Sequence, residues 1–175
     1  VTHTHVDHIG RLPLLVKKGF QGKIFTTRTT SLLMGLALND SYKVLKDTAM
    51  RNHTKQLYSE GDVEETLHRV EGCEYNVPNY ITPNIKATFF VNGHLVGAAL
   101  ILVQISYPGY EDINILFTGD YNNQNMFFDV PQLPEWVTKL PLTVVQESTY
   151  GYMDSTEIVS TLQENIIACM EKQKT

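Results

Sequence analysis

Little in this chain invites a disulfide-stapled or membrane-bound reading. Cysteine is scarce: the 175 residues hold two, Cys73 and Cys169, far apart and in unlike contexts. That excludes a small secreted disulfide scaffold, and the pair reads as reduced, part-buried filler suited to the cytosol. No apolar run approaches the ~18 residues that a membrane span needs, so no membrane partner is expected. No basic-then-apolar leader opens the sequence, which predicts a cytoplasmic location. Surplus positive charge is missing too: 14 Lys and Arg face 19 Asp and Glu, a net charge of −5. Bulk electrostatics therefore give no pull toward nucleic acid, although a bound cation could attract phosphate locally. With no internal repeat, low-complexity tract or linker, the length suits one domain or most of one.

What the chain does have is histidine in one place. Three of its six histidines fall within six residues, His3-Thr4-His5-Val6-Asp7-His8. Neutral imidazole and carboxylate together suit zinc, iron or manganese. Alternate residues of an extended segment point the same way, so His3 and His5 can face one ion while Asp7 and His8 turn toward a second. Two ions roughly 3.5–4 Å apart make a hydrolytic clamp that activates water and neutralises a leaving oxygen. A tag-like terminus also gathers histidines, but it would not include an aspartate or lead into a helix signature. His53 and His68 stand alone and read as surface or capping residues.

The pattern predicts helices first and strands after. Ile9 to Lys18 has near-helical apolar spacing, with Pro13 in a tolerated first turn and Gly19 as a stop. Lys23 to Thr27 reads as a short strand. Thr29 to about Arg51 is a long helical pattern, with Leu32, Leu33, Leu36, Leu38, Val44 and Leu45 on or near one side. Ser59 begins a capped helix that runs to about Val70. Then Ile85 to Val91, Ala98 to Ser106, Asn114 to Phe117 and Leu142 to Gln146 are β-rich runs broken by Gly, Pro or Asn. A last helix is expected from Ser155 to Glu171. The expectation is a mixed α/β fold with much of its sheet antiparallel.

Two later loops offer donors to the first. Asn92-Gly93-His94-Leu95-Val96-Gly97-Ala98 lies between two predicted strands, where Gly93 and Gly97 allow close backbone approach and His94 has room to reach a neighbouring site. Phe117-Thr118-Gly119-Asp120-Tyr121 ends an apolar strand on an aspartate, and a carboxylate can bridge two metals. Alone, each is an ordinary turn or strand exit. Together with the histidine cluster they favour a two-metal hydrolase acting on a phosphodiester or another hydrolysable ester.

"THTHVDHIGRLP" resembles the signature loop of the metallo-β-lactamase superfamily. "GHLVGAA", "LFTGDY" and "ESTYG" (Glu147 to Gly151) follow in the order of its β-CASP branch, which includes ribonuclease J-like enzymes and the endonuclease of eukaryotic mRNA 3′-end processing. "GFQGKIFTT" and "LYSEGDVEETL" extend the likeness along the chain. The resemblance implies an αββα sandwich with metals at the edge of two facing sheets. It implies a metal-dependent phosphodiesterase, an RNA endo- or exonuclease on single-stranded RNA, with two Zn2+ ions in a complete site and Mn2+ or Fe2+ as substitutes. In that scheme His3, His5 and His94 hold one ion, Asp7 and His8 the other, and Asp120 bridges them. Asp7 also orients the attacking water. Glu147 matches the first β-CASP motif, whose acidic residue steadies a histidine that protonates the leaving group. The chain departs at Ala98, where serine is usual, but keeps His94.

The same resemblance predicts an internal piece of a longer enzyme. Residues 1–175 would form a partial metallo-β-lactamase domain, lacking the strands before the His-rich loop and the β-CASP cap, with no second domain. In the family the missing parts carry two further histidines, and no histidine follows His94 here. One metal site would then have its full set of protein ligands and the other three, with weak or no turnover in isolation. Uncovered sheet edges would favour a homo-oligomer. The rival readings are a generic hydrolase of a small ester, thioester or lactam, and a metal-binding but inactive domain.

Overall fold

The computed structural model describes residues 1–149 and 151; the helix expected from Ser155 to Glu171, and Cys169, lie outside the described residues. Twelve elements follow in the order α1 (Val6–Ile9), α2 (Leu12–Lys17), β1 (Ile24–Thr27), α3 (Arg28–Arg51), α4 (Glu60–His68), β2 (Val70–Cys73), β3 (Pro78–Thr82), β4 (Ile85–Val91), β5 (Ala99–Ile105), β6 (Ile113–Phe117), α5 (Glu135–Thr138) and β7 (Leu142–Val145). The fold is mixed α and β. Among the described residues, no helix is long and apolar enough to cross a membrane.

Two sheets carry the architecture. β1 and β2 pair in parallel, while β3 to β7 form a five-stranded sheet in sequential order. Its first three pairings are antiparallel, and only β6 with β7 is parallel. Successive side chains of β4 and β5 point to opposite faces, and both faces are buried. Phe89 and Ile101 join Cys73, Ala87 and Ala99 in a cluster that includes Phe25 and Tyr75 from the two-stranded side. Phe90, Leu100 and Leu102 turn the other way, onto Leu116 and Val137 of α5. Long uninterrupted apolar strands are thus a consequence of two-sided burial.

Helix α3 backs the smaller sheet and packs on α4 through a third cluster of Ile9, Met34, Leu38, Tyr58 and Val63. Here one expectation needs correcting. The buried stripe of α3 is Thr30, Met34, Leu38, Ser41 and Ala49, whereas Leu32, Leu36 and Val44 are exposed. A step of two residues rotates a helix by ~200°, so Leu32 and Leu36 face away from Met34 and Leu38. Small polar residues, not leucines, fill the contacts next to the sheet.

The start of α4 forms as expected. The Ser59 hydroxyl accepts from Asp62 N, and the Asp62 carboxylate accepts from Ser59 N at 2.7 Å, closing a capping box. The Ser59 N–H holds the Asp62 carboxyl below its ordinary pKa. A carboxylate with a depressed folded pKa contributes stability above its unfolded pKa near 3.9, and that contribution is lost as pH falls through the folded value. Ser59→Ala is expected to lower stability by about 1 kcal/mol at pH 7. The deficit of Asp62→Asn relative to wild type should shrink as the pH is taken below about 4, read from urea midpoints across that range.

One sheet end collects the candidate site loops, and the topology explains why. Val91 pairs with Ala99, so the turn joining β4 to β5 leaves from that end. Ile101 pairs with Phe117, which brings the exit of β6 to the same place. The parallel register of Phe117 with Val145 sets the exit of β7 beside it. A parallel pair needs a long crossover, and the chain from Thr118 to Pro141 supplies it.

Candidate metal centre

The His-rich segment is laid across this sheet end as extended backbone. Ala99 N donates to Thr2 O at 2.9 Å, and the Thr26 hydroxyl donates to Val1 O at 3.1 Å. His5 is still extended, with φ −61° and ψ 144°, and only from Val6 does the backbone turn helical. Extended backbone brings His3 and His5 to one side, and the first helical turn swings Asp7 and His8 around to the other.

The donor atoms converge. His3 Nε2 and His94 Nε2 each stand 3.1 Å from His5 Nδ1. Asp120 Oδ2 lies 3.7 Å from His3 Nε2 and 3.5 Å from His94 Nε2. Ligand atoms of these four residues all fall within 4.8 Å of one another. A tetrahedral ion with bonds near 2.0–2.1 Å has donor-to-donor edges of about 3.3 Å, which the observed spacings bracket. The donor set fits: burial, with the nearby His8 ring adding to it, pushes His3 down to about 4, so this ring is a neutral imidazole at pH 7. Its other nitrogen, Nδ1, lies 3.1 Å from the Thr2 hydroxyl, which fixes the ring plane.

The second oxygen of Asp120 looks elsewhere. Oδ1 is 3.1 Å from His8 Nε2, and Asp7 Oδ2 is 3.6 Å from the same nitrogen. Asp120 therefore presents one oxygen to the three-histidine cluster and the other to His8 and Asp7. The Asp7 side chain is 76% exposed and stands at the mouth. His53 and His68 are exposed and take no part.

Glu147 joins the site through backbone instead. Its Oε1 accepts from Tyr121 N at 2.8 Å and its Oε2 from Thr149 N at 3.2 Å, while Glu147 N donates to the Thr118 hydroxyl at 3.3 Å. The hydrogen bonds from Thr149 and Tyr121 hold its carboxyl below the ordinary range. It ties the exit of β7 to the loop that carries Asp120. Gly119 makes that loop tight: its φ is +57°, and a Cβ there would meet the Thr2 side chain at 2.8 Å.

Two supports escaped the sequence reading. Asn92, 1% exposed, donates through Nδ2 to Thr118 O (3.0 Å) and Asp120 O (2.6 Å) and accepts at Oδ1 from His94 N (3.0 Å) and Asn122 N (3.2 Å). One side chain thus clasps the His94 loop to the Asp120 loop. Thr27 and Thr30 both donate to Gly97 O, at 2.6 and 2.8 Å, anchoring the far end of the His94 loop to the start of α3. The only signal for Asn92 was an amide directly before Gly93-His94 at a strand end.

No family model matches the chain. Among curated proteins, it is 37% identical over 153 residues to the transcription termination factor FttA of Methanosarcina mazei, covering 86% of this chain and 22% of that protein. It is 33% identical over 154 residues to ribonuclease TTHA0252 of Thermus thermophilus, covering 86% of this chain and 31% of the relative. It is 32% identical over 153 residues to the endoribonuclease ysh1 of Aspergillus fumigatus, covering 86% and 17%. The chain belongs to the β-CASP branch of the metallo-β-lactamase superfamily. The β-CASP likeness covers most of this chain, but the chain spans less than a third of the length of these curated relatives.

Proposed function

We propose that the chain is the metal-holding part of an RNA phosphodiesterase. His3, His5, His94 and Asp120 would hold one divalent ion, and Asp7, His8 and Asp120 a second. Zinc is the favoured ion, with manganese or iron able to substitute on the same nitrogen and oxygen donors. Residues 1–175 would be a partial metallo-β-lactamase domain of a longer enzyme, with single-stranded RNA as substrate. The observation that carries this reading is the divided carboxylate of Asp120, with Oδ2 toward His3 and His94 and Oδ1 toward His8. The names of the β-CASP relatives, an endoribonuclease and a ribonuclease among them, support RNA over a small ester.

Two bound ions would supply charge neutralisation at the phosphoryl oxygens and a water acidic enough to attack at neutral pH. The protein's own groups do the rest. His3, buried and oriented by Thr2, and His5 and His94 keep the donor geometry fixed. Asp7, exposed at the mouth, holds the attacking water by a hydrogen bond and can take up its proton. Glu147, by bonding Tyr121 N, keeps the Asp120 loop from drifting during the reaction.

The test is hydrolysis by the zinc-loaded chain of an end-labelled oligoribonucleotide, a chromogenic β-lactam and a thioester, each with and without EDTA. Slow RNA cleavage that EDTA abolishes and zinc restores is the expected result. Turnover of the β-lactam or the thioester with the RNA left intact would overturn it. Zinc uptake without turnover of any substrate would assign the chain a purely metal-holding part in a larger catalyst.

A further inference from the structure

Next to His94 lies an open cavity of ≈ 500 Å³, lined by His94, Asn122, Gln124, Asn125, Met126 and Phe127. Its composition is unlike that of a phosphate site: the lining has no lysine or arginine, and no acid either. It is built of amides with an apolar rim, where Met126 and Phe127 are 87% and 81% exposed. Exposed side chains of this kind beside a reactive centre signal a surface that is covered during function.

The backbone around the cavity is held by hydrogen bonds, while the side chains of Gln124, Met126 and Phe127 make none among the described residues. Gly93 N donates to Asn122 O at 2.9 Å, and Asn125 Nδ2 donates to Gly93 O at the same distance. Phe127 N donates to Asn125 Oδ1 at 2.8 Å, so the turn that presents the ring is fixed. The loop lies so close to Gly93 that a Cβ there would fall 2.5 Å from Asn122 O. Asn125 spends both ends of its amide on these backbone groups, whereas the Gln124 side chain makes no hydrogen bond among the described residues and remains available to a ligand.

We infer that this cavity takes a nucleobase of the single-stranded substrate, from a nucleotide flanking the phosphate at the metal centre. The base would stack on Phe127 and lean on Met126, and the Gln124 amide would meet a donor and an acceptor on its edge. The division of labour follows from the chemistry: the charged phosphate belongs at the metal side of His94, and the uncharged base at the amide side. This inference rests on the RNA reading above, and its test separates the two.

Zinc-loaded wild type and a Gln124→Ala, Phe127→Ala double variant would be titrated against a labelled single-stranded oligoribonucleotide. A matching series carries one abasic nucleotide at successive positions, with anisotropy as the readout. Base stacking on an aromatic ring is worth about 5- to 150-fold in affinity. Wild type should lose that factor at one abasic position. The double variant should bind intact RNA weaker by a similar factor and show no further loss at that position. Both side chains are exposed, so the variant should keep the wild-type unfolding midpoint. Zinc-dependent RNA binding that neither the variant nor any abasic position weakens would overturn the pocket and leave the RNA reading standing. No RNA binding by wild type would remove the RNA reading, and the pocket with it.

Discussion

Replacing Asp120 with alanine should take the metal content from about two ions per chain to none. The expectation follows from the division of its carboxylate. Oδ2 completes the set formed by His3, His5 and His94, and Oδ1 completes the set formed by His8 and Asp7. Removing one side chain leaves three imidazoles on one side with no negative charge, and two groups on the other. Other single substitutions should be selective: His8→Ala should cost only the second ion, and His5→Ala only the first. Plasma mass spectrometry on desalted protein distinguishes the three patterns. Thermal unfolding gives an independent readout, because an ion that binds only the folded chain raises its stability. Wild type should lose melting temperature on adding EDTA, and Asp120→Ala should not respond. Two ions retained in Asp120→Ala would sink the shared-carboxylate geometry and the binuclear reading with it.

What the sequence made legible was what is local. The convergence of His3 with His5 could be read because an extended backbone dictates which neighbouring residues face together. β4 and β5 could be read because burial on both faces demands unbroken apolar runs, β6 because its apolar run ends at a Thr-Gly break, and the ends of all three match expectation to within a residue or so. What escaped depends on distant partners. β2 is four residues, Val-Glu-Gly-Cys, and becomes a strand only by pairing with β1. β3 begins on Pro78 at the sheet edge, where a missing N–H costs little but the sequence reads as a turn. The buried face of α3 was misjudged because leucines advertise burial, while the contact with the His94 loop is made by the small Thr30, which bonds Gly97 O. At Glu147 the residue was singled out, but its bonding to Tyr121 N could not be foreseen from a motif.

Asn92 is the strongest case of that long-range kind, and its substitution should have the larger effect on the fold. Only one amide orientation satisfies its surroundings: two backbone N–H groups face Oδ1 and two carbonyls face Nδ2. Asn92→Ala strips four backbone groups of this partner: the bond to Thr118 O is buried and the other three are part-buried. At about 1–3 kcal/mol for a buried group left unpaired, with water able to reach the three part-buried ones, a destabilisation of about 2–3 kcal/mol is expected. Asn92→Asp should be no milder, although it has the same shape. It keeps the acceptor for His94 N and Asn122 N but sets an anionic oxygen against Thr118 O and Asp120 O, the latter now 2.6 Å away as an acceptor. Metal affinity should fall about 10- to 100-fold in both variants, because the loops carrying His94 and Asp120 lose their shared clasp. Urea unfolding of the metal-free proteins measures the first effect, and competition titration with a zinc chelator, under conditions where every variant is folded, measures the second. A stability loss with unchanged zinc affinity would mean that the two loops hold their register without Asn92. Thr27 and Thr30, through Gly97 O, would then be the clasp that sets where His94 stands.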